Sequence, residues 1–549
     1  MAQPLQTLKQ PYFAVVRIVC LLLASQHIAV IALVSAARAS PSLDSLKDAA
    51  TGPPLSAPDP RSHPFADFVL RWAGPEAHQQ LEALQHRHLG QPSAAVQPLL
   101  AAVRAGLARK APIGSTRSRD TAQPTAQGAA TLPTYLEWWA AAQPARVEPV
   151  PDSVRLPVLL VPPLTGVELD VKLDKPSSSP HWWCPRQRDW ATLWISSQVV
   201  LPGQFSCVAE NLRCEYNASL RRCQPVPGVK VVPTDGFDSS ASGLNPMGGF
   251  KQQLISRGWT EGVDLHTHDY DWRLSPLEWS QPDVVAWKDL KREVEWLYLQ
   301  SGRKPVVLVG LSLGASYSSS FLASGYVEQS WKDEHVAALL SISGVFGGTP
   351  ASTYDIIAGR LQGLEAVLPS SDVRLLMQAV PAISWTSPHP EVFGSQPIII
   401  NTALGRNFSS VDIHLAYTAA NAHSAAAQVQ EVLGSNPQYR ASRPPGVKVF
   451  CLYSRGLPSA QTITFSTPDF TDAGQVSYVD GDITVPLASL AACESWSLEP
   501  GHPPVVSRVW DGVMHAGILM QGSGMAFALE TIISLGYLAP NTRAVKAEA

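Results

Sequence analysis

Charge is scarce in this chain. Asp, Glu, Lys and Arg make up 16% of 549 residues, the net charge is −4 at pH 7, and there is no long basic run. That excludes nucleic acid as a partner, since a nucleic-acid binder needs a clustered excess of Lys and Arg to neutralise phosphates. Cysteine is sparse too, seven in all, and no two stand in a CxxC spacing, so nothing reads as a structural zinc site. His266 and His268, in the string HTHD, share one face of a strand by alternation. Without a matching ligand cluster elsewhere they read as a solvated or structural pair rather than a metal site. No motif asks for a cofactor.

The few cysteines point to an oxidising compartment. Cys20 lies in an apolar stretch, residues 18–34, preceded by Lys9 and Arg17 and followed by Ala37-Arg38-Ala39. Residues 1–39 are therefore expected to be a signal peptide or a signal anchor, directing the chain to the secretory pathway, either secreted or held in an ER or vacuolar lumen. The other six, Cys184, Cys207, Cys214, Cys223, Cys451 and Cys493, are an even number suited to bridges. Asn217 (NAS) and Asn407 (NFS) are candidate glycosylation sites in the same compartment. Residues 40–149 are rich in Ala, Pro, Gln and Arg, with patchy helical periodicity and a polar stretch at 111–128, and are expected to form a partly disordered extension. The folded domain is expected over residues 150–540, with a tail at 541–549.

The strongest local signal is PVVLVGLSLGASYSSSFL, residues 305–322. A branched apolar run leads into Gly310-Leu311-Ser312-Leu313-Gly314, the G-x-S-x-G pattern of a nucleophile elbow. A strand that turns sharply into a helix strains its central residue, so the flanking positions must be small. The helix that follows points its first amides at the serine and favours a developing oxyanion. Ser312 is the candidate nucleophile of an α/β-hydrolase fold with cap or lid insertions. LPVLLV, residues 156–161, is the short continuous apolar run of a strand buried on both faces, and PPLTG turns it. The amides of Leu164 in that turn and of Leu313 after the nucleophile are the candidate oxyanion donors.

Residues 447–453, 475–479 and 505–509 read as late strands of the sheet. Asp482 falls just past the second, with Asp480 and Asp472 as competing acids. His515 follows the third in GVMHAG, whereas His502 precedes two prolines and reads as a loop residue. The order Ser312, Asp482, His515 is that of an α/β-hydrolase triad.

Several strings extend the reading: VELDVKLDKP at 167–176, HWWCPRQRDWATLW at 181–194, residues 208–217, YDWRL at 270–274, PVVLVGLSLG at 305–314, Gly347-Gly348, and DGDITV at 480–485. In this order they resemble the lecithin:cholesterol acyltransferase family over roughly residues 156–538; phospholipid:diacylglycerol acyltransferases and lysosomal phospholipase A2-like enzymes share the pattern. The resemblance selects Asp482 as the orienting acid. It implies a phospholipid as acyl donor, an acyl-serine intermediate, and a lipid alcohol (sterol or diacylglycerol) as acceptor, with water as the alternative acceptor of a phospholipase. A non-catalytic lipid-binding module is the reading from another class. The resemblance also implies the pairs Cys184–Cys207 and Cys451–Cys493, leaving Cys214 to Cys223.

Two departures from the family pattern stand out. Leu311 replaces a usual His in the elbow and is expected to alter acyl-chain packing. Pro163 replaces a usual Gly in the first loop and bears on its shape. Trp182, Trp183, Trp190 and Trp194 crowd around Cys184. They read as a flap facing a membrane or lipid-particle surface, with Trp182 and Trp183 as the interface residues, because indoles favour the bilayer interface; a small satellite core is the competing reading. Leu361, Leu364, Val367 and Leu368 form a helical stripe within 351–383; core packing is the default reading of such a stripe, with a mobile lid as the alternative.

Overall fold

Branched apolar runs with no polar face must be strands covered on both sides, and such runs build the central sheet of the computed structural model. The structure describes residues 149–538, apart from 195, 197–198, 200–202, 235–245 and 361–367. The signal-like stretch, the extension up to 148, the tail, and Leu361, Leu364 and Val367 lie outside the described residues.

The sheet comprises β1 (Val158–Val161), β2 (Leu265–Thr267), β3 (Val306–Leu311), β4 (Val336–Ile342), β5 (Val449–Arg455) and β6 (Val505–Asp511). Their order is β6-β5-β4-β3-β1-β2 and every neighbouring pair is parallel. Side chains alternate between two apolar layers. Val158, Leu160, Val307 and Val309 pack with helices Pro246–Ile255 and Gly522–Leu538. Leu159, Val161 and Leu308 pack with helices Trp287–Gln300 and Leu313–Ala323. This is an α/β-hydrolase fold. The chain leaves β1 towards β2 and returns as β3 on the other flank of β1, so the topological switch point lies between β1 and β3. Open α/β sheets bind ligands at the carboxyl ends of such strands.

The strand expected at 475–479 is not part of this sheet. Gln475–Gly481 pairs antiparallel with Leu457–Phe465 in a separate four-stranded sheet that also holds Pro397–Asn401 and Arg406–Ser409. An inner parallel strand needs apolar residues on both faces, and QVSYVDG is largely exposed. Gly456, at φ 87°, turns the chain from the end of β5 into this hairpin. The hairpin returns Asp482 to the carboxyl edge of the central sheet.

A third sheet joins Glu168–Asp174 to Gln187–Trp194 and Val229–Thr234, all antiparallel. Three disulfides are present: Cys184–Cys207, Cys214–Cys223 and Cys451–Cys493. The first ties the tryptophan segment to helix Phe205–Leu212, and closing a loop of that size stabilises by about 3 kcal/mol through the unfolded chain. In the 351–383 region, helices Pro350–Ala358 and Ser370–Met377 bury Ile356, Ile357, Val373 and Leu376 in the main core, and Leu368 joins them. The described part of that region is core packing. Among the described residues, no helix is long and apolar enough to cross a membrane.

Candidate active site

Ser312 stands between β3 and helix Leu313–Ala323 at φ 55° and ψ −119°, a conformation that a non-glycine residue holds only when its surroundings enforce it. Its amide donates to the Ile342 carbonyl at 2.8 Å. Both elbow glycines are required by close approach. A Cβ on Gly310 would lie 2.6 Å from the Ala315 nitrogen, and one on Gly314 would run into the Val161 and Pro162 carbonyls. The start of the nucleophile helix therefore sits directly against the loop that leaves β1. That helix has no side-chain cap, and the amides of its first two residues, Leu313 and Gly314, have no acceptor among the described residues.

His515 lies in the loop after β6. Its Nε2 is 2.8 Å from Ser312 Oγ, and its Nδ1 is 2.7 Å from Asp482 Oδ2. Asp482 is fully buried. Its Oδ1 accepts from the backbone amides of Thr484 at 3.1 Å and Val485 at 2.8 Å. An acceptor-only carboxylate at Nδ1 places the ring proton there and leaves Nε2 as the acceptor facing the serine. The structure thus brings Ser312, Asp482 and His515 into one hydrogen-bonded line at the carboxyl edge of the sheet. The competing acids are occupied elsewhere. Asp480 is exposed and accepts from the Gly456 amide at 2.5 Å, while Asp472 holds Ser466 and Thr467 in a distant turn. His502 contacts its neighbouring Pro503 carbonyl at 2.6 Å.

Leu164 lies in the turn after β1, and Tyr270 donates its hydroxyl to the Pro162 carbonyl of that loop at 2.8 Å. Trp272 Nε1 donates to the Val167 carbonyl at 3.0 Å. Between these aromatics Asp271 and Arg273 form a buried bidentate pair, Nε to Oδ1 at 2.9 Å and Nη2 to Oδ2 at 2.7 Å. The YDWRL string therefore braces the loop with alternate residues and closes a charge pair with the others. His268 is buried between Glu293 (2.7 Å from Nδ1) and Tyr317 (2.8 Å from Nε2). Burial holds the Tyr317 hydroxyl well above its usual pKa, so it stays protonated and donates to the imidazole. His268 is structural. Among the described residues, no three His, Cys, Asp or Glu side chains are grouped to hold a metal ion.

Two expectations need correction. Leu311 is fully buried and packs with Leu160, Val309 and Ile342 in the apolar layer opposite that of Leu313, so it has no open surface for an acyl chain. Strand alternation puts Leu311 on the face of Val307 and Val309, whereas Leu313 already belongs to the helix. Trp194 does not belong with the surface indoles. It is half-buried, and its Nε1 donates to the Thr165 carbonyl at 3.0 Å. By contrast Trp182 is 85% exposed, and Trp183 and Trp190 are also exposed. Trp183 stacks on His181 and donates to the Gly203 carbonyl at 3.2 Å. Asn407 is exposed on its strand, whereas Asn217 is half-buried at a hairpin turn with its amide on Gln224.

Sequence reasoning passed over Ser343. It follows β4 at φ 50° and donates its hydroxyl to the His515 carbonyl at 2.6 Å, fixing the histidine loop. A second hydroxyl, two residues after Ser341, at the carboxyl end of an inner strand was the available signal. Thr349 was passed over as well: its hydroxyl donates to the Thr484 carbonyl at 2.7 Å and accepts from the Ala351 amide, joining the acid loop to helix Pro350–Ala358.

A family model described as lecithin:cholesterol acyltransferase matches residues 190–402. Lysosomal phospholipase A and acyltransferase of Bos taurus is 30% identical over 63% of this chain and 84% of that protein. The protein of the same name from Rattus norvegicus is 29% identical over 69% of this chain and 90% of its own length. Phosphatidylcholine-sterol acyltransferase of Oryctolagus cuniculus is 32% identical over 62% of this chain and 76% of that protein.

Proposed function

The chain belongs to the lecithin:cholesterol acyltransferase family, and from that premise we propose that it moves a fatty acyl group from a phospholipid, through an ester on Ser312, to a lipid alcohol. The observation that carries this reading is the unbroken line from buried Asp482 through His515 to Ser312 Oγ.

His515 Nε2 takes the Ser312 proton as Oγ attacks the ester carbonyl of the phospholipid. The Leu313 and Leu164 amides receive the oxyanion, and Asp482 stabilises the imidazolium. Collapse of the tetrahedral intermediate breaks the ester bond, and the imidazolium gives its proton to the departing lysophospholipid. The acceptor hydroxyl then loses its proton to His515 and attacks the acyl-serine, releasing the new ester and restoring Ser312. Water in the acceptor's place releases a fatty acid, the phospholipase A reaction named for the Bos taurus and Rattus norvegicus relatives. The exposed indoles of Trp182 and Trp183, tethered through Cys184, are the surface that meets the lipid. Three disulfides support an oxidising compartment of the secretory pathway, where exposed Asn407 is the more accessible of the two candidate glycosylation sites, Asn407 and Asn217.

The test is incubation of purified protein with phosphatidylcholine vesicles carrying a labelled acyl chain, with a sterol, with diacylglycerol, or with neither. A labelled sterol ester or triacylglycerol is expected in the acceptor arms, and Ser312→Ala is expected to form no product. Free fatty acid alone in every arm would make the protein a phospholipase. No product from the unmodified chain would leave a lipid-binding module.

A further inference from the structure

We infer that Trp194 is a positioning residue for the oxyanion: its indole N–H holds the Thr165 carbonyl and with it the turn that carries the Leu164 amide. The inference rests on the acyl-transfer reading of Ser312 given above. Pro163-Leu164-Thr165-Gly166 is closed by a bond from the Gly166 amide to the Pro163 carbonyl at 2.9 Å. Thr165 sits at φ 64° and Leu164 does not have a positive φ, the pattern of a type II turn, whose third position favours glycine. A threonine there does not hold the turn by its own preference, so something outside the turn must.

Three aromatic donors do so. The Pro162 carbonyl is held by Tyr270 at 2.8 Å, that of Thr165 by Trp194 at 3.0 Å, and that of Val167 by Trp272 at 3.0 Å. Carbonyls committed to these donors cannot swing towards the serine, where they would repel an oxyanion. Among the described residues the Leu164 amide has no acceptor. Tyr270 and Trp272 are buried and come from the segment after β2. Trp194 comes from elsewhere: it ends the strand Gln187–Trp194, opposite Leu169, with its ring edge-on to Trp272 at 5.5 Å. It alone of the three grips the carbonyl of the strained residue. The strand that leads away from the Cys184 tether and carries exposed Trp190 therefore also sets the turn on which transition-state stabilisation depends.

Trp194→Phe keeps a ring against Trp272 and removes the donor. The assay is turnover of a short water-soluble ester, with active enzyme counted by fluorophosphonate titration. Turnover per active site is expected to fall at least tenfold, about 1.4 kcal/mol, with KM changed less than twofold. The affinity of a trifluoromethyl ketone, whose adduct places an oxyanion in the same position, is expected to fall by the same factor as kcat/KM. Exchange of Trp194 for 3-benzothienylalanine, which replaces N–H by sulfur in a ring of the same shape, is expected to give the same loss without lowering Tm. A residue that only packs would lower the titration end point or Tm and leave turnover per site and ketone affinity unchanged. That result overturns the inference. Unmodified protein that neither titrates nor turns over ester overturns the acyl-transfer reading and this inference with it, whereas an active unmodified protein matched by Trp194→Phe overturns this inference alone.

Discussion

Replacing Asp482 by asparagine should do more damage than its single-atom difference suggests, because the acid loop dictates which way the amide faces. The Thr484 and Val485 amides converge on Oδ1 at 3.1 and 2.8 Å. Two donors select the asparagine oxygen for that place. The NH2 group then falls where Oδ2 was, 2.7 Å from His515 Nδ1, and a donor faces a donor. The imidazole relieves this by carrying its proton on Nε2, which lies 2.8 Å from Ser312 Oγ and can no longer accept the serine proton. Lost charge opposite the imidazolium adds to the wrong tautomer. In a serine triad the two together cost about 10⁴ in kcat, about 5 kcal/mol. The fold keeps its shape and its two backbone bonds, so Tm should stay within a few degrees. Asp480→Asn, which alters only an exposed bond to Gly456, should stay within about threefold on the same relation of rate to barrier. The measurement is kcat on a soluble ester per folded molecule, with a melting curve for each variant. Asp482→Asn retaining more than about 1% of kcat, far above the loss expected from tautomer and charge, would refute the tautomer argument. Equal losses at the two positions would move the acid.

Three further outcomes follow from particular contacts. Gly314→Ala drives a methyl group into the Val161 and Pro162 carbonyls and should destabilise by about 3 kcal/mol or more in denaturant titration; unchanged stability would mean that β1 and the nucleophile helix are not so closely packed. Trp182→Ala combined with Trp183→Ala should weaken vesicle binding and vesicle turnover at least about tenfold while largely sparing a soluble ester, since these indoles are exposed rather than core; matched losses on both substrates with a lowered Tm would end the interface reading. His389 is buried with Nε2 on the Trp385 carbonyl, and desolvation lowers its pKa from 6.5 to about 4. The unfolded chain therefore takes up its proton first as pH falls, so stability present above pH 6.5 is lost towards pH 4, by up to about 3 kcal/mol; denaturant titrations at the two pH values should show this fall, and a His389→Gln variant that falls equally would refute the assignment.

What could be read in the sequence, and what could not, follows from how each residue carries its information. The two elbow glycines were legible because close approach leaves no alternative residue, and Gly310 and Gly314 do sit where a Cβ would collide. The apolar runs that became β1, β3 and β5 were legible because a strand covered on both faces cannot be polar. Residues 475–479 also read as a strand, but period alone does not say which sheet a strand joins, and the exposed side chains of Tyr478 and Val479 place it in the outer hairpin. The signal at Ser343 was weak: a hydroxyl at the carboxyl end of an inner strand says nothing of its role until its partner, the His515 carbonyl 172 positions away, is known.

The tryptophan cluster holds the sharper lesson. Composition treats Trp182, Trp183, Trp190 and Trp194 as one group, yet an indole has an apolar body and a single donor, and which of the two matters depends on the neighbour. Trp182 offers its body to solvent, and Trp194 spends its donor on Thr165. The YDWRL string divides in the same way, with Tyr270 and Trp272 donating to the β1 loop and Arg273 donating to Asp271. In both segments the chemistry resides in side-chain donors aimed at backbone carbonyls of a loop about 30 or about 110 residues earlier, a relation no local window contains. Donor and loop carbonyl become linked only once strand Glu168–Asp174 has paired with Gln187–Trp194 and β2 has paired with β1. The PPLTG turn is thus a product of sheet assembly rather than of its own five residues, and a substitution inside it tests less of its geometry than one at Trp194 or Tyr270.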